Sequence, residues 1–227
     1  NDWSSALPIE NNSYFYPSVS LSTIVSELIK MPAFIPFFKL RASWAQVSND
    51  LAVYSTTPAY NNGINWNSNA SVVFPGSQLN PNIMPETSKT WELGSDIRFF
   101  NNRVGLDVAY YHTIDLNDII YFPVSQASGY SSKLLNANKY RRQGLEVTLN
   151  LTPVRVENGF SWDMAVNWSR HRRYLLELPE GIDDLNGVRI GERMDLMRGW
   201  VFNRSADGQT IYEGGLPTWD PYIKKLG

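Results

Sequence analysis

The fold is decided by residues 91–111, which read WELGSDIRFFNNRVGLDVAYY. On both sides of the Asn-Asn pair at 101–102, apolar or aromatic side chains recur at alternate positions, with Ser95 as the exception. This alternation is typical of β-strands that have one apolar and one polar face. Asparagine tolerates the positive φ angles of a two-residue type I′ turn, so the segment predicts a β-hairpin. The predicted opposite pairs are Phe100 with Arg103, Phe99 with Val104, Ile97 with Leu106, Ser95 with Val108, Leu93 with Tyr110 and Asp96 with Asp107.

The same alternation continues along the chain on both sides of this hairpin. It predicts six strands, near residues 19–25, 38–47, 91–100, 103–112, 144–151 and 160–169. Several of these lengths match the about 9–11 residues that a tilted strand needs to cross a bilayer. The connections are short at one end of the strands, and long loops are predicted at the other end, at residues 51–80, 115–140 and 170–227. Transmembrane β-barrels divide their connections in this way.

Composition narrows the class of protein. Aromatic residues make up 13% of the chain and charged residues 19%, which suits a β-rich sugar-binding module or a transmembrane β-barrel. The 20 basic and 22 acidic residues leave no basic excess for nucleic acid, and the absence of cysteine excludes thiol catalysis. The fold prediction is all-β: an antiparallel up-and-down meander that forms an arc of a large transmembrane barrel. The alternatives are a soluble β-sandwich carbohydrate-binding module and a small complete structural outer-membrane barrel.

Separate patches of sequence carry a resemblance to a known family. The most specific patch reads NPNIMPETSKTWELG at residues 80–94, and FFNNR follows at 99–103. Further patches lie at residues 16–21, 40–50, 128–130, 136–146 and 223–227. With these patches in the family's order, the chain resembles the SusC/RagA-like TonB-dependent outer-membrane transporters of Bacteroidota. It departs from them at Asn138, where Gly is expected, at Gln143, where a basic residue is more usual, and at Ile83-Met84, a variant of Leu-Lys.

The resemblance implies a barrel of about 22 strands with a plugged lumen, of which this chain supplies an arc in the C-terminal half. It implies that the plug domain, the N-terminal region that contacts the TonB complex and the last barrel strands lie outside these 227 residues. The family resides in the cell outer membrane and imports oligosaccharides, glycan fragments or peptides. A SusD-like surface lipoprotein covers the barrel and presents the cargo. The resemblance therefore implies a transporter and not an enzyme.

Three groups of residues are candidates for function. The polar face of the strands is expected to line the lumen, through Glu92, Asp96, Arg98, Asp107, Tyr111, Glu146, Asn150, Asp163 and Asn167. A basic cluster is expected at the outer rim, formed by Arg141, Arg142, Arg170, Arg172 and Arg173. These arginines either extend to water at the membrane edge or bind the phosphates of lipopolysaccharide. The outer loops carry the aromatic substrate candidates Trp66, Tyr121 and Tyr130.

No catalytic arrangement is evident in the sequence. The two histidines, His112 and His171, are far apart in the chain, so a histidine-based metal site is not expected. Acidic pairs such as Asp115 and Asp118 are expected to be solvated loop residues, since only convergence in a cleft would give them a catalytic role. Residues 183–187 read DDLNG, which suggests a calcium loop but fails the EF-hand spacing. No cofactor is expected, and calcium in this outer loop is the one alternative left open.

Overall fold

The computed structural model describes residues 1–157, 159–219 and 224–225. Its six long strands are β1 (Ser18–Ile24), β2 (Phe37–Asn49), β3 (Glu86–Phe99), β4 (Val104–Leu116), β5 (Lys139–Arg155) and β6 (Ser161–Glu177). They form one sheet in the order β6-β5-β4-β3-β2-β1, with every neighbouring pair antiparallel. This is the predicted up-and-down meander. Of the patch at 223–227, residues 223, 226 and 227 lie outside the described residues.

The hairpin between β3 and β4 has the predicted register. Five of the six predicted opposite pairs are confirmed, including Asp96 opposite Asp107. The sixth pair, Phe100 with Arg103, lies in the turn beyond the strand register, where the N–H of Arg103 donates to the carbonyl oxygen of Phe100 at 3.2 Å. The two turn asparagines have φ angles of 53° and 64°, as a type I′ turn requires. Phe100 also has a positive φ, of 51°, which the sequence did not predict. Its N–H donates to the carbonyl oxygen of Phe34 at 2.9 Å, so the turn is joined to the connection between β1 and β2.

The strands extend beyond the predicted bounds at the end where the connections are long, which we call the loop end; the other end is the turn end. β3 begins at Glu86, β5 begins at Lys139, and β6 continues to Glu177. These extensions carry polar residues on both faces, so the alternation fades although the backbone ladder continues. The first strand is one residue shorter than predicted at its end, because Val25–Leu28 forms a single helical turn.

The predicted loop at 115–140 is corrected by the structure. β4 continues to Leu116, and the strands Asp118–Pro123 and Ser132–Ala137 pair with each other in an antiparallel hairpin. Leu134 of this hairpin is fully buried and packs with Leu7 and Ile83. Its packing partners are distant in sequence, so the hairpin had no clear signature in the local pattern.

Short elements occupy the other connections. They are the 3-10 helix Gln126–Ser128 and the two-residue strands Asp2–Trp3, Ser13–Tyr14, Asn61–Asn62, Val72–Val73, Ser77–Gln78, Asp184–Leu185, Val188–Arg189, Arg198–Gly199, Tyr212–Glu213, Leu216–Pro217 and Lys224–Lys225. The predicted loops at 51–80 and, beyond the end of β6, at 178–227 contain strands of this minimal length only, as far as their residues are described. None of the described helices has the length and apolar character needed to cross a membrane.

The larger buried side chains lie at the loop end. One cluster joins Leu7, Ile83 and Leu134, and a second is built around Tyr140 and Leu175. These clusters attach the long connections to the ends of the strands. Among the described residues, both faces of the sheet are therefore left uncovered over most of their length, and functional side chains are expected on these two faces.

Candidate functional site: the polar face of the arc

The face of the sheet that carries Asp96 and Asp107 is called the polar face, and the opposite one the apolar face. Successive side chains on a strand point to opposite faces, so the register assigns every strand residue to one of them. All nine sequence candidates lie on the polar face: Glu92, Asp96 and Arg98 on β3, Asp107 and Tyr111 on β4, Glu146 and Asn150 on β5, and Asp163 and Asn167 on β6. Their role in a lumen remains a prediction.

An arginine that the sequence did not single out organises the centre of this face. Arg41 on β2 reaches across β3 and donates two hydrogen bonds to the carboxylate of Asp107 on β4, at 2.7 and 2.9 Å. It also lies 3.6 Å from Glu92. The side chain crosses β3 over Gly94, where a Cβ atom would lie only 2.4 Å from the Arg41 Nε. The negative charge of Asp107 on β4 is thus compensated by an arginine on β2, with β3 between them.

A second crossing of the same kind occurs between β4 and β6. Tyr111 on β4 extends over Gly144 of β5, and its hydroxyl group lies 2.8 Å from Nδ1 of His171 on β6. A Cβ atom at Gly144 would lie 2.5 Å from the phenol ring. The sequence analysis gave His171 no function, and the structure places it as a hydrogen-bonding partner on the polar face. In both crossings a glycine in the middle strand makes room for a long side chain.

The remaining candidates make local contacts at the turn end and the centre of the polar face. Asp96, Arg98, Asp107 and Asn150 line a common open pocket of about 350 Å³. Arg98 lies 3.6 Å from Asp96, which reduces the repulsion between the opposed carboxylates. Two further hydrogen bonds on this face join Thr148 to Asn167 at 3.0 Å and Thr152 to Asp163 at 2.6 Å. Glu146 lies opposite Ala109 and Ser169 and is exposed.

The five arginines predicted at one rim are divided between the two faces. All lie at the loop end of β5 and β6, with Arg142 and Arg173 on the polar face and Arg141, Arg170 and Arg172 on the apolar face. The guanidinium of Arg142 donates to Asp115 at 2.6 and 2.7 Å, and that of Arg173 lies 4.0 Å over the ring of Tyr140. The structure therefore corrects the prediction for Arg142 and Arg173, because adjacent positions on a strand point in opposite directions.

The aromatic loop candidates do not form one group. Tyr130 lies 5.4 Å from the ring of Phe74, which in turn lies 6.0 Å from Tyr60. This cluster joins the two long loops, since the N–H of Ser131 also donates to the carbonyl oxygen of Gly76. The other two candidates, Trp66 and Tyr121, are exposed by 78% and 54% and lie outside the cluster. Phe74 and Tyr60 were missed, because only the folded loops bring them beside Tyr130.

The segment at 183–187 forms a tight turn. Asp184 accepts a hydrogen bond from the N–H of Gly187 at 2.8 Å, within the hairpin of Asp184–Leu185 and Val188–Arg189. Across the described residues there is no group of three His, Cys, Asp or Glu side chains arranged to hold a metal ion. His112, the other histidine, stacks on Trp91 at 5.4 Å on the apolar face. Calcium binding here remains an untested hypothesis.

Asn138 explains one departure from the family pattern. Its φ is 60°, a left-handed conformation in which glycine is the usual residue and asparagine is tolerated. Its side-chain amide donates to the Tyr140 hydroxyl at 2.7 Å, and that hydroxyl donates to Asp118 at 3.0 Å. The asparagine thus meets the backbone requirement and also supports the loop end of β5.

The apolar face identifies the class of protein. Large side chains on it are open to the surroundings: Leu93, Val166 and Trp168 are exposed by 54%, 49% and 50%. The described residues place no second sheet over this face, and β1 and β6 do not pair with each other. These observations disfavour the β-sandwich and the small complete barrel. An antiparallel arc with an open apolar face, a polar face and unequal connections is the wall of a transmembrane β-barrel.

Comparison with known proteins gives the family. The family described as "TonB dependent receptor-like, beta-barrel" matches residues 1–222, and the chain belongs to this family. TonB-dependent receptor P3 of Formosa agariphila is 30% identical in an alignment over 222 residues that covers 91% of this chain and 22% of that relative. TonB-dependent receptor SusC of Bacteroides thetaiotaomicron is 25% identical in an alignment over 210 residues that covers 86% of this chain and 19% of SusC. The chain thus spans about a fifth of the length of these curated relatives.

A solved structure shows the same fold. The RagAB peptide importer in its closed-closed state matches with a TM-score of 0.76 and 18% identity, over 96% of this chain and 27% of that chain. The resemblance to SusC/RagA-like receptors is therefore confirmed. Members of this family are outer-membrane transport receptors rather than enzymes.

The ion pair between Asp115 and Arg142 gives a first prediction, at the loop end beyond the apolar spans of the strands. Burial by itself raises the pKa of Asp115, but hydrogen bonds from Arg142 and Ser88 and the charge of Arg142 lower it more, so the net pKa is lowered. A lowered carboxyl pKa stabilises the fold above the unfolded-state value, and this contribution is lost as the pH falls through the folded-state value. Asp115→Asn should destabilise the full-length protein by about 1 kcal/mol at neutral pH.

The measurement is urea unfolding of the full-length protein in lipid vesicles, at neutral pH and at acid pH. The difference between wild type and Asp115→Asn should shrink once the pH falls below the usual Asp value of 3.8. Asp163→Asn is the matched control, because Asp163 is exposed and, among the described residues, its carboxylate accepts hydrogen bonds from the hydroxyl groups of Thr152 and Ser161. A deficit of Asp115→Asn that stays constant with pH would contradict the assignment.

Proposed function

We propose that this chain forms part of the wall of a TonB-dependent active importer in the outer membrane, with its polar face lining the lumen. The supporting observation is the arc itself, in which nine polar candidates share one face and open apolar side chains share the other. The loop end is extracellular and the turn end periplasmic, since outer-membrane barrels have short periplasmic turns and long outer loops. The apolar face lies against lipid.

The proposed cargo is an oligosaccharide, a glycan fragment or a peptide. The polar face offers carboxylates, amides, hydroxyl groups and a few aromatic rings, a mixture that suits a hydrated pathway for polar cargo. One similar curated protein is named SusC, and the similar solved structure is titled a peptide importer. On the family pattern, a SusD-like lipoprotein covers the loop end, and the TonB complex supplies energy through a region outside this chain.

Contact with cargo is assigned to the loop-end aromatic cluster of Tyr60, Phe74 and Tyr130. Phe74 is 53% exposed and Tyr60 64% exposed, so ring faces remain available although the rings contact one another. Exposed rings offer stacking surfaces for sugar or peptide groups at about 0.5–1.5 kcal/mol each. Trp66 and Tyr121 are further exposed aromatic candidates in the connections at the loop end.

The double variant Phe74→Ala and Tyr130→Ala tests this assignment in the full-length receptor. We expect the cargo concentration for half-maximal uptake to rise about threefold to tenfold, because the two rings pack against each other and together present about one free ring face to cargo. Maximal uptake should change little, since the strands are untouched. The measurement is nutrient-limited growth and labelled-cargo uptake, with oligosaccharide mixtures and oligopeptide mixtures tested separately in a strain that lacks the native gene.

Phe15→Ala is the control, because Phe15 is also an exposed aromatic residue at the loop end and lies outside the cluster. Deletion of the gene should abolish uptake of one cargo class, and the wild-type gene should restore it. The transport proposal fails if deletion leaves the uptake of both cargo classes unchanged. The cluster assignment fails if the double variant and Phe15→Ala give the same uptake curve as wild type.

A further inference from the structure

Three arginines stand on the face that meets lipid. Arg170 and Arg172 on β6 lie opposite Leu145 and Gln143 of β5, and Arg141 lies opposite Tyr174. Arg170 and Arg172 continue the row of outward residues on β6 that includes Val166 and Trp168. At about 3.3 Å per residue, Arg170 and Arg172 lie about 7 and 13 Å beyond Trp168 towards the loop end. We call these three residues the outward arginines.

Two of the outward arginines, Arg170 and Arg172, border a pocket of about 260 Å³ on the apolar face. Tyr110, Leu145 and Trp168 form its apolar part, and Arg170 and Arg172 form its charged part. Tryptophan and tyrosine are enriched at the level where a bilayer meets water. The pocket thus combines apolar surface on the membrane side with two cations on the water side, an arrangement that suits a ligand with acyl chains and an anionic head.

The charges of the outward arginines are not compensated by the described part of the chain. Neither an ion pair nor a side-chain hydrogen bond is made there by Arg170 or Arg172, whereas Arg41 and Arg142 on the polar face each bind a carboxylate. The guanidinium of Arg141 stacks on Tyr174 at 4.6 Å, and its Nε is buried without a hydrogen-bond partner.

The surrounding positions of the apolar face offer no acid either. The outward positions of the three strands are the even residues of 104–114 on β4, the odd residues of 141–151 on β5 and the even residues of 162–174 on β6. Each of them is apolar, aromatic, His, Gln or Arg, and none is Asp or Glu. Among the described outward positions of these three strands, no carboxylate therefore compensates the outward arginines. The planar guanidinium of arginine can donate two parallel hydrogen bonds to a phosphate group, so phosphate is a suitable source of the compensating negative charge.

We propose that the outward arginines, with the pocket beside Trp168, bind the phosphate groups of lipid A in the outer leaflet. This rests on the proposed function in one respect, the extracellular position of the loop end, where the lipopolysaccharide leaflet lies. Lipid A has both features that the site requires, since it carries phosphates on a headgroup and several acyl chains beneath them. The site is separate from the cargo pathway, because it lies on the opposite face of the sheet.

The test compares two double variants of the full-length receptor that each remove two positive charges. Arg170→Gln with Arg172→Gln removes them from the site, and Arg98→Gln with Arg103→Gln removes them from the turn end. Each receptor is purified from outer membranes in mild detergent, and lipid A and phospholipid per receptor are measured by mass spectrometry. We expect the first variant to retain at most a third of the wild-type lipid A, with phospholipid unchanged, and the control to match wild type.

A rebinding measurement identifies the chemical group. Delipidated receptor is titrated with lipid A and with the same lipid after enzymatic removal of its phosphates. Wild type should bind the phosphorylated form at least threefold more tightly, and the Arg170→Gln and Arg172→Gln variant should bind the two forms equally. Heat-modifiable migration in gels verifies that each variant is folded.

Three results would overturn the proposal: equal lipid A in all purified receptors, a parallel loss of phospholipid, or equal binding of both lipid A forms by wild type. Cargo uptake is measured on the same strains. It should be unchanged in the Arg170→Gln and Arg172→Gln variant, so failure of this proposal is distinguishable from failure of the transport proposal, in which deletion of the gene leaves uptake intact.

Discussion

Leu149→Arg should destabilise the full-length receptor by about 2–4 kcal/mol, whereas Thr148→Arg, one position earlier on β5, should change its stability by less than about 1 kcal/mol. Leu149 lies on the apolar face between Leu106 and Val166, about 7 Å from the level of Trp168 towards the turn end. A guanidinium placed there enters hydrocarbon. Thr148 points to the polar face, where an added cation stays hydrated and lies near Asp107 and Asn167.

The measurement is the urea unfolding midpoint of each variant folded into lipid vesicles, with wild type run in parallel. The pair is well matched, because the two substitutions introduce the same side chain into the same strand. The comparison tests the assignment of faces directly. Equal losses for the two variants, or a greater loss for Thr148→Arg, would mean that the apolar face does not lie against lipid.

The sequence predicted those features that depend on neighbours along a strand. Alternation located the six strands of the sheet, and the Asn-Asn turn determined the register of the hairpin between β3 and β4. The same alternation assigned all nine polar candidates to one face. It was weakest at the loop end, where β3 begins at Glu86 and β6 continues to Glu177, because residues there are polar on both faces.

Contacts across strands were not predictable, because they depend on the lateral order of the sheet. Arg41 and Asp107 are 66 positions apart in the chain and are joined only because β2, β3 and β4 are adjacent. The arginines of β5 and β6 were grouped because antiparallel pairing brings them to the same end of the hairpin, although the odd and even positions point to opposite faces. The hairpin that holds Leu134 was missed because its packing partners are remote in sequence.

The second large effect is expected at Gly94, which lies beneath the side chain of Arg41. A Cβ atom there would approach Nε and Cζ of Arg41 to 2.4 and 2.6 Å, distances that no side chain tolerates. Gly94→Ala should therefore displace Arg41 and break its two hydrogen bonds to Asp107. The flexible Arg41 side chain can move away from the added methyl group, so the expected loss is that of its charge-assisted hydrogen bonds to Asp107, about 1–2 kcal/mol of unfolding free energy.

Gly105→Ala is the control for this substitution. Gly105 lies on the same face of the neighbouring strand, and a Cβ atom there would have its nearest contact at 3.7 Å, with Asn150. Its φ is not in the left-handed region, so alanine should be tolerated and stability should change by about 0.5 kcal/mol or less. The comparison separates the crossing by Arg41 from the general effect of replacing a strand glycine.

A double-mutant cycle with Arg41→Ala shows whether the clash is the cause. Without the Arg41 side chain nothing crosses β3 at this point, so Gly94→Ala should then cost no more than Gly105→Ala. The coupling energy between positions 41 and 94 should accordingly be about 1–2 kcal/mol. If Gly94→Ala costs the same with and without Arg41, the crossing does not hold Asp107, and the opposed carboxylates of Asp96 and Asp107 must be compensated by Arg98 or by solvent instead.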